Sequence, residues 1–520
     1  MNPNPNLNLS DFARVTAQYR AEAVPRLAGN PYVEALPPLP DDTELAKALR
    51  HLPRFDPQER LLPAPVRIQL LDTLQLLVVP LPRLVRLARA VLKMMRTGYA
   101  PRRPFSKEDH DTLQRLYAQQ QTGSFVSLRQ NALAAQHSMA LMGASGCGKS
   151  YSLRHIAGLF PQVIHHPELG KWQLPCLFLE MSYDGESVHT LASELFGELD
   201  RLLPDAGYTE LYMRHKGLNA EQRLHTALAK AYEHGAGMIF VDESQNQKDV
   251  AKDAGRKPRR NASAHRAKNE TPLTKLLITA SNTSHIPMLM SGTLEMQALM
   301  GSRFSRARRM AGRGSAVWLP LESSESLEKP NEFELMLKAL WHYQWVQKPV
   351  ALNDDWVKLF YKLTQGIPDI MVKLLESSQE AAIAGKSEQL TPALVELVFK
   401  KEFLTTEFGI IGLRDGDRVL LDAVTDLYQP DAVEEARAAR TQFQPPKPSA
   451  VVARAPKGRR ALGTDNATPR TKKAAMPSPT PADVPPAIAA EADLRRTLTD
   501  DTSAPDLNLV EAGTAEAQPA

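Results

Sequence analysis

Cysteine is nearly absent, with two residues in 520, Cys147 and Cys176. Neither stands in a CxxC or Cys/His cluster. That spacing argues against structural zinc and against a disulfide framework, and it fits a reducing compartment. A dominant charge sign is also missing. The chain carries 63 basic and 59 acidic residues, a net +4, so any nucleic-acid argument has to rest on local clusters. Long apolar runs are missing too. The most apolar stretch, 68–94, is interrupted by Asp72, Arg83, Arg86, Arg89, Pro80 and Pro82. Its uncharged part, 73–82, is shorter than the ~18 residues of a spanning helix. The start, MNPNPNLNLS, has no basic segment followed by an apolar core. A soluble, cytoplasmic protein with no membrane partner is expected.

What is present is enough apolar residue for a sizeable core, 43% of the chain. At 520 residues, two or three units plus tails are expected. Residues 1–104 are punctuated by proline and read as an N-terminal extension, with helices over 8–24, 42–51, 66–79 and 82–97. From 105 to 322, short apolar runs (Met139–Met142, Leu174–Met181, Met238–Val241, Pro287–Ser291, Ala316–Leu319) alternate with helical patterns. The helices are placed at 107–120, 127–136, 149–159, 187–203, 220–234, 270–283 and 294–300. Alternation of this kind predicts an α/β fold, a parallel five-stranded sheet covered on both faces. Residues 323–428 read as a helical lid, with helices at 331–347, 353–364, 368–384, 391–402 and 416–428. Beyond 428 the sequence holds 13 prolines in 92 residues, and its single aromatic is Phe443. Such a segment buries too little apolar surface to offset its ordering entropy, so a disordered tail is expected.

Residues 143–150, GASGCGKS, fit the pattern G-x-x-x-x-G-K-[ST] in full. An apolar run precedes them and a helical pattern follows, the context in which that pattern cradles phosphate. Gly143, Ala144, Ser145, Gly146, Cys147, Gly148, Lys149, Ser150 and Tyr151 are therefore expected to wrap the phosphates of ATP. Lys149 would reach the β- and γ-phosphates, and Ser150 would ligate magnesium. MIFVDES, 238–244, is a buried strand with Asp242 and Glu243 at its C-terminal end. Asp242 is expected to hold magnesium and Glu243 to polarise the attacking water. MLMSGT, 288–293, ends in Thr293, a candidate sensor of the γ-phosphate. GSRFSRARRMAGRG, 301–314, clusters Arg303, Arg306, Arg308, Arg309 and Arg313. An arginine acting in trans would stabilise charge in a neighbouring subunit and implies a homo-oligomer, ring or filament. Arg306 and Arg309 are the candidates for that role; a solvated or DNA-facing basic loop is the alternative.

Residues 248–268 form a second basic stretch, including Lys252, Arg256, Lys257, Arg259 and Arg260. Lying between a strand and a helix, such a loop suits salt-dependent, sequence-independent contact with duplex DNA. A solvated insertion is the bland alternative. The tail carries a third basic cluster around 454–473, an acidic end, and PDLNLVEAG as a short apolar docking motif.

Several segments together resemble TnsC, the AAA+ regulator of Tn-seven-type transposons, a relative of TniB and MuB. They are NPYVEALPPLP (30–40), FPQVIHHPEL (160–169), MIFVDESQN, MLMSGT, RFSRARRMAG and LTQGIPDIMVKLL (363–375), in matching order over roughly 30–428. The resemblance implies an AAA+ P-loop NTPase that binds ATP and magnesium and polymerises on duplex DNA. It implies a DNA-associated bacterial protein relaying target selection to a transposase. The N-terminal extension would meet a target-selection protein of TniQ or TnsD type, and the C-terminal region transposase subunits of TnsA and TnsB type. One departure stands out. Many AAA+ lids carry arginine after G-x-P, whereas GIPDI places Asp369 there, with Lys373 one turn on, so the coupling of lid to phosphate is expected either to be weak or to use Lys373. The rival reading is a replication-initiator or helicase-loader AAA+ ATPase. A scaffold that keeps ATP without turnover and a nucleotide kinase fit less well, the first because of the Asp242–Glu243 pair, the second for want of an acceptor pocket.

Overall fold

The computed structural model describes residues 14–122, 138–181, 188–244, 284–296, 315–422, 424, 426 and 427. All belong to the first of two units, Met1–Pro445. The helices expected at 127–136 and 270–283, most of that at 294–300, and the tail lie outside the described residues.

The centre is a five-stranded, all-parallel sheet. Its strands are β2 (Ser138–Gly143), β5 (Cys176–Glu180), β6 (Met238–Asp242), β7 (Met288–Gly292) and β8 (Ser315–Trp318). They lie in the order β5-β6-β7-β2-β8. The three inner strands are the most buried, β2 and β7 along their whole length. Burial on both faces is what a parallel sheet covered by helices requires.

One face packs on α5 (Lys107–Thr122), α7 (Val188–Leu202) and α8 (Ala220–Glu233) through Leu195, Phe196, Leu199 and Leu228. α8 starts at a capping box between Asn219 and Gln222, which satisfies two of the amides a helix start leaves unpaired. The other face packs on α4 (Pro82–Tyr99) and α6 (Lys149–Ala157) through Val91, Met95, Leu153 and Ile156.

The N-terminal segment is built into both halves of the fold. α1 (Pro31–Glu34), α2 (Asp42–Leu49) and α4 belong to the core cluster against the sheet. Leu71, Leu74, Leu77 and Leu81, in and after α3 (Ala64–Leu71), belong to the cluster of the helical half. Buried Arg67 fixes this second attachment. Its guanidinium donates to both carboxylate oxygens of Glu388 at 2.7 Å and to the carbonyl of Trp345 at 2.9 Å.

The helix expected over 8–24 is not formed in its described part. Arg14–Thr16 is instead β1, paired in parallel with β3 (Val163–His166); residues 17–22 carry no regular structure. β4 (Lys171–Gln173) completes a three-stranded sheet with β3. These strands are short, and β1 pairs with a strand far off in sequence, so no local period announces it.

The helical half consists of α9 (Glu332–Trp341), α10 (Asp354–Thr364), α11 (Pro368–Ala384), α12 (Pro392–Glu402), α13 (Leu404–Asp415) and α14 (Arg418–Asp422). The single helix expected at 416–428 is corrected. Gly416, at φ 68°, ends α13, and among the described residues only the short α14 follows. No described helix is long and apolar enough to cross a membrane.

Candidate functional site

The strand order determines which side chains can meet. β7 lies between β2 and β6, and the registers Met142↔Gly292 and Val241↔Met290 bring their C-terminal ends level. The loop after β2, the Asp242–Glu243 pair ending β6 and Thr293 following β7 therefore share one edge. That is the edge where open α/β sheets take ligands.

The 143–150 loop adopts a conformation that few residue types allow. Gly146 and Gly148 have φ of 74° and 79°, a region other residues enter at a cost. A Cβ on Gly143 would lie 2.6 Å from the Trp318 carbonyl oxygen. The amide of Ala144 donates to that same carbonyl at 3.0 Å, which ties the loop to β8. α6 starts at Lys149, directly after the left-handed Gly148, so the unpaired amides of its first turn and its positive dipole end face the loop.

Lys149 Nζ donates to the carbonyls of Gly143 and Ala144 at 2.9 and 3.0 Å. Burial pushes its pKa below the usual lysine value, and Cys147, then Asp242, Glu243 and Asp426, act in the opposite direction. Cys147 is buried within the loop, and desolvation raises its thiol to about 11, so it is not a nucleophile at neutral pH. Tyr151 is partly exposed, its ring 4.7 Å from that of His155.

Glu243 has φ of 52°, unusual for a residue with a side chain and costing on the order of 1 kcal/mol. Its amide donates to Asp242 Oδ1 at 3.0 Å, so the first carboxylate of the pair helps hold the second in this turn. Ser244 Oγ donates to the Val241 carbonyl and closes the turn from the other side.

The helical half docks directly on the loop. The Asp369 amide at the start of α11 donates to the Gly146 carbonyl at 3.1 Å. The Leu321 amide donates to the Gly366 carbonyl at 2.7 Å. Lys373 does not turn toward the loop: its Nζ pairs with Asp369 Oδ2 at 2.8 Å on an exposed face. From the far end of the described chain, the Asp426 carbonyl accepts from the Ser145 amide at 3.1 Å.

Beside the loop lies a cleft of about 510 Å³, its open mouth included. Its walls come from Leu77, Val78, Val79, Leu81 and Arg83 of the N-terminal segment, from Cys147, Gly148 and Tyr151, from Trp318, and from Pro368 of α11. The N-terminal wall and Trp318 carry no sequence signal. They reach the cleft only because the chain crosses there between the two halves of the fold. Arg306, Arg309, Lys252, Arg256, Lys257, Arg259 and Arg260 lie outside the described residues. Among the described residues, no cluster of three His, Cys, Asp or Glu could hold a metal by itself.

Residues 133–300 match the family model described as an AAA domain. No curated protein matches the chain. Among solved structures, the RuvB Holliday junction branch migration motor of Thermotoga maritima is similar at 13% identity and a TM-score of 0.28. That alignment covers 65% of this chain and 82% of that one. A point variant of the same RuvB aligns at 14% identity and a TM-score of 0.29, with the same coverage. The strand order, the glycine-built loop and the matched AAA domain make the described core an AAA+ P-loop fold.

Proposed function

We propose that this chain is an ATPase that binds duplex DNA, oligomerises on it, and uses hydrolysis to time the handover from target selection to a transposase. The observation that carries the ATPase part is the meeting of the 143–150 loop, Asp242–Glu243 and Thr293 at one sheet edge, with α11 docked on the loop. The glycine cradle and the helix start fit a triphosphate. The acidic pair, close enough to act on Lys149, fits a hydrated divalent cation together with Ser150. When bound, magnesium supplies positive charge to the β- and γ-phosphate oxygens.

Lys149 leaves its carbonyl partners for the phosphates. Thr293 orients the water or the γ-phosphate. The Glu243 carboxylate takes a proton from the attacking water. The water oxygen bonds to the γ-phosphorus as the bond to the β,γ-bridging oxygen breaks, and ADP leaves with that oxygen. Arg306 or Arg309 of a neighbouring copy completes the site.

The DNA part rests on the basic 248–268 stretch, which emerges directly after the acidic pair. The transposition part rests on the TnsC-like segments at 30–40 and 160–169. In this fold those segments touch: the Tyr32 and His166 rings are 5.5 Å apart. Phosphate release measured with and without duplex DNA tests the reading. Stimulation by DNA, loss in Lys149→Ala, and a response to purified transposase are expected. Turnover absent under all conditions would leave a scaffold, and a response to a replicative helicase instead of a transposase would leave a loader.

A further inference from the structure

Arg83 is the one charged side chain among the described residues lining the cleft beside the phosphate loop. It is 7% exposed and sits at the start of α4, where the N-terminal segment passes from the helical half to the sheet. Its guanidinium joins three parts of the fold. Nε donates to Glu332 Oε2 at 2.7 Å, at the first residue of α9. Nη1 donates to the Leu319 carbonyl at 2.9 Å, just past β8. Its Cζ lies 5.7 Å from the Trp318 ring centre, within cation–π reach. The Arg83 backbone amide also donates to Glu332 Oε1 at 3.0 Å, so the carboxylate grips both the side chain and the helix start. The positive charge extends to the loop, where it acts on Cys147. On the other wall, Asp369 and Lys373 are committed to each other, and neither brings a charge into the cleft.

We propose that Arg83 is the positioning residue that couples a nucleotide in this cleft to the helical half, with Glu332 as its partner. The proposal rests on the nucleotide reading of the loop. A ligand in the cleft, walled by the loop on one side and by Pro368 of α11 on another, needs both halves held at one separation. The Arg83–Glu332 pair sets that separation from the opposite side of the cleft, while the Leu319 carbonyl fixes it to the sheet. Arg83 lines the cleft together with Cys147 and Gly148, whereas the acidic pair does not line it. Its effect therefore falls on ATP and ADP alike, on affinity more than on turnover at saturation.

The test is titration of fluorescent ATP and ADP analogues into the full chain, wild type and Arg83→Gln, Glu332→Gln and the double variant. Melting is followed with and without nucleotide. Arg83→Gln is expected to weaken both nucleotides by about tenfold, the scale of a lost charge-assisted hydrogen bond, and to shrink the nucleotide-induced melting shift. The double variant is expected to bind no worse than Arg83→Gln, the mark of residues acting as one unit. Arg83→Lys is expected to recover part of the affinity. Affinity within twofold of wild type, or a loss confined to ATP, overturns the proposal. A purely structural role would lower the melting temperature while leaving the nucleotide-induced shift intact, and that also overturns it. Should Arg83→Gln not fold, Glu332→Gln decides alone: unchanged affinity for both nucleotides sinks the coupling. Lys149→Ala separates the two readings, because undiminished binding in that variant removes the nucleotide site itself.

Discussion

The Asp369 amide donates to the Gly146 carbonyl at 3.1 Å, so the first turn of a helix in one half of the fold rests on the phosphate loop of the other. Ile367 packs at the same point: a Cβ on Gly146 would lie 2.8 Å from Ile367 Cγ2. Opening or closing of the helical half therefore has to break or remake contacts with the loop itself.

Gly366 tests how tightly that docking is built. Its φ is 73°, and a Cβ there would sit 1.9 Å from the Leu321 carbonyl oxygen. Gly366→Ala is expected to lose more than ~2 kcal/mol of stability, since both backbone strain and a backbone clash are imposed. Gly170→Ala is the control, with φ of 58° and open space around it, and is expected to lose ~1 kcal/mol. Equal urea midpoints for the two variants would show that the Gly366–Leu321 contact is not needed.

Arg67 tests the attachment of the N-terminal segment. Its side chain is 2% exposed and Glu388 is 17% exposed, so cutting the pair leaves a carboxylate and the carbonyls of Leu62 and Trp345 short of a donor. Arg67→Ala is expected to cost ~3–5 kcal/mol in equilibrium unfolding. A loss below ~1 kcal/mol, the range of surface pairs, would contradict a shared core between residues 62–81 and the helical half.

Acid sensitivity follows from two half-buried histidines. Burial, then the charge of His51, lowers His155 to about 4; burial, then Lys230 and Lys171, lowers His234 to about 4. The unfolded chain therefore binds more protons between pH 6.5 and about 4, and stability falls as pH drops through that window. Glu233 works the other way. Burial raises it to about 7, so between pH 7 and 4.5 the folded chain gains a proton that the unfolded chain does not. Melting curves at pH 7.5, 6 and 5 are expected to show a net acid loss, smaller in His234→Gln and larger in Glu233→Gln. The reverse order of the two variants would contradict these assignments.

Glu243→Gln is expected to keep nucleotide affinity and to lower hydrolysis by ~10²-fold or more, the usual scale for removing a general base. Assemblies on DNA are expected to persist in this variant. Disassembly at the wild-type rate would remove Glu243 from the timing of the cycle.

Sequence periodicity was enough to place the five central strands and most helices, because each carries its own apolar period or run. The loop from Gly143 to Ser150 was legible for a different reason: its glycines and lysine follow a fixed spacing, and Gly146 and Gly148 take the positive φ that the spacing anticipates. What stayed hidden depends on distant partners. Arg14–Thr16 is a strand only because Val163–His166 lies beside it. The N-terminal wall of the cleft and the place of Arg83 follow from where the chain crosses between halves. Asp369 was visible as a departure from the usual lid arginine, but only the fold shows Lys373 paired with it rather than reaching the loop.

The central claim is ATP-dependent assembly on DNA. The most direct measurement is electron microscopy of the full chain with duplex DNA, at low and moderate salt, comparing a slowly hydrolysed ATP analogue with ADP. Rings or helical filaments on DNA with the ATP analogue and not with ADP are predicted, with each nucleotide site closed by an arginine of the next subunit. Monomers in both nucleotide states, or assemblies indifferent to the nucleotide, would contradict the account.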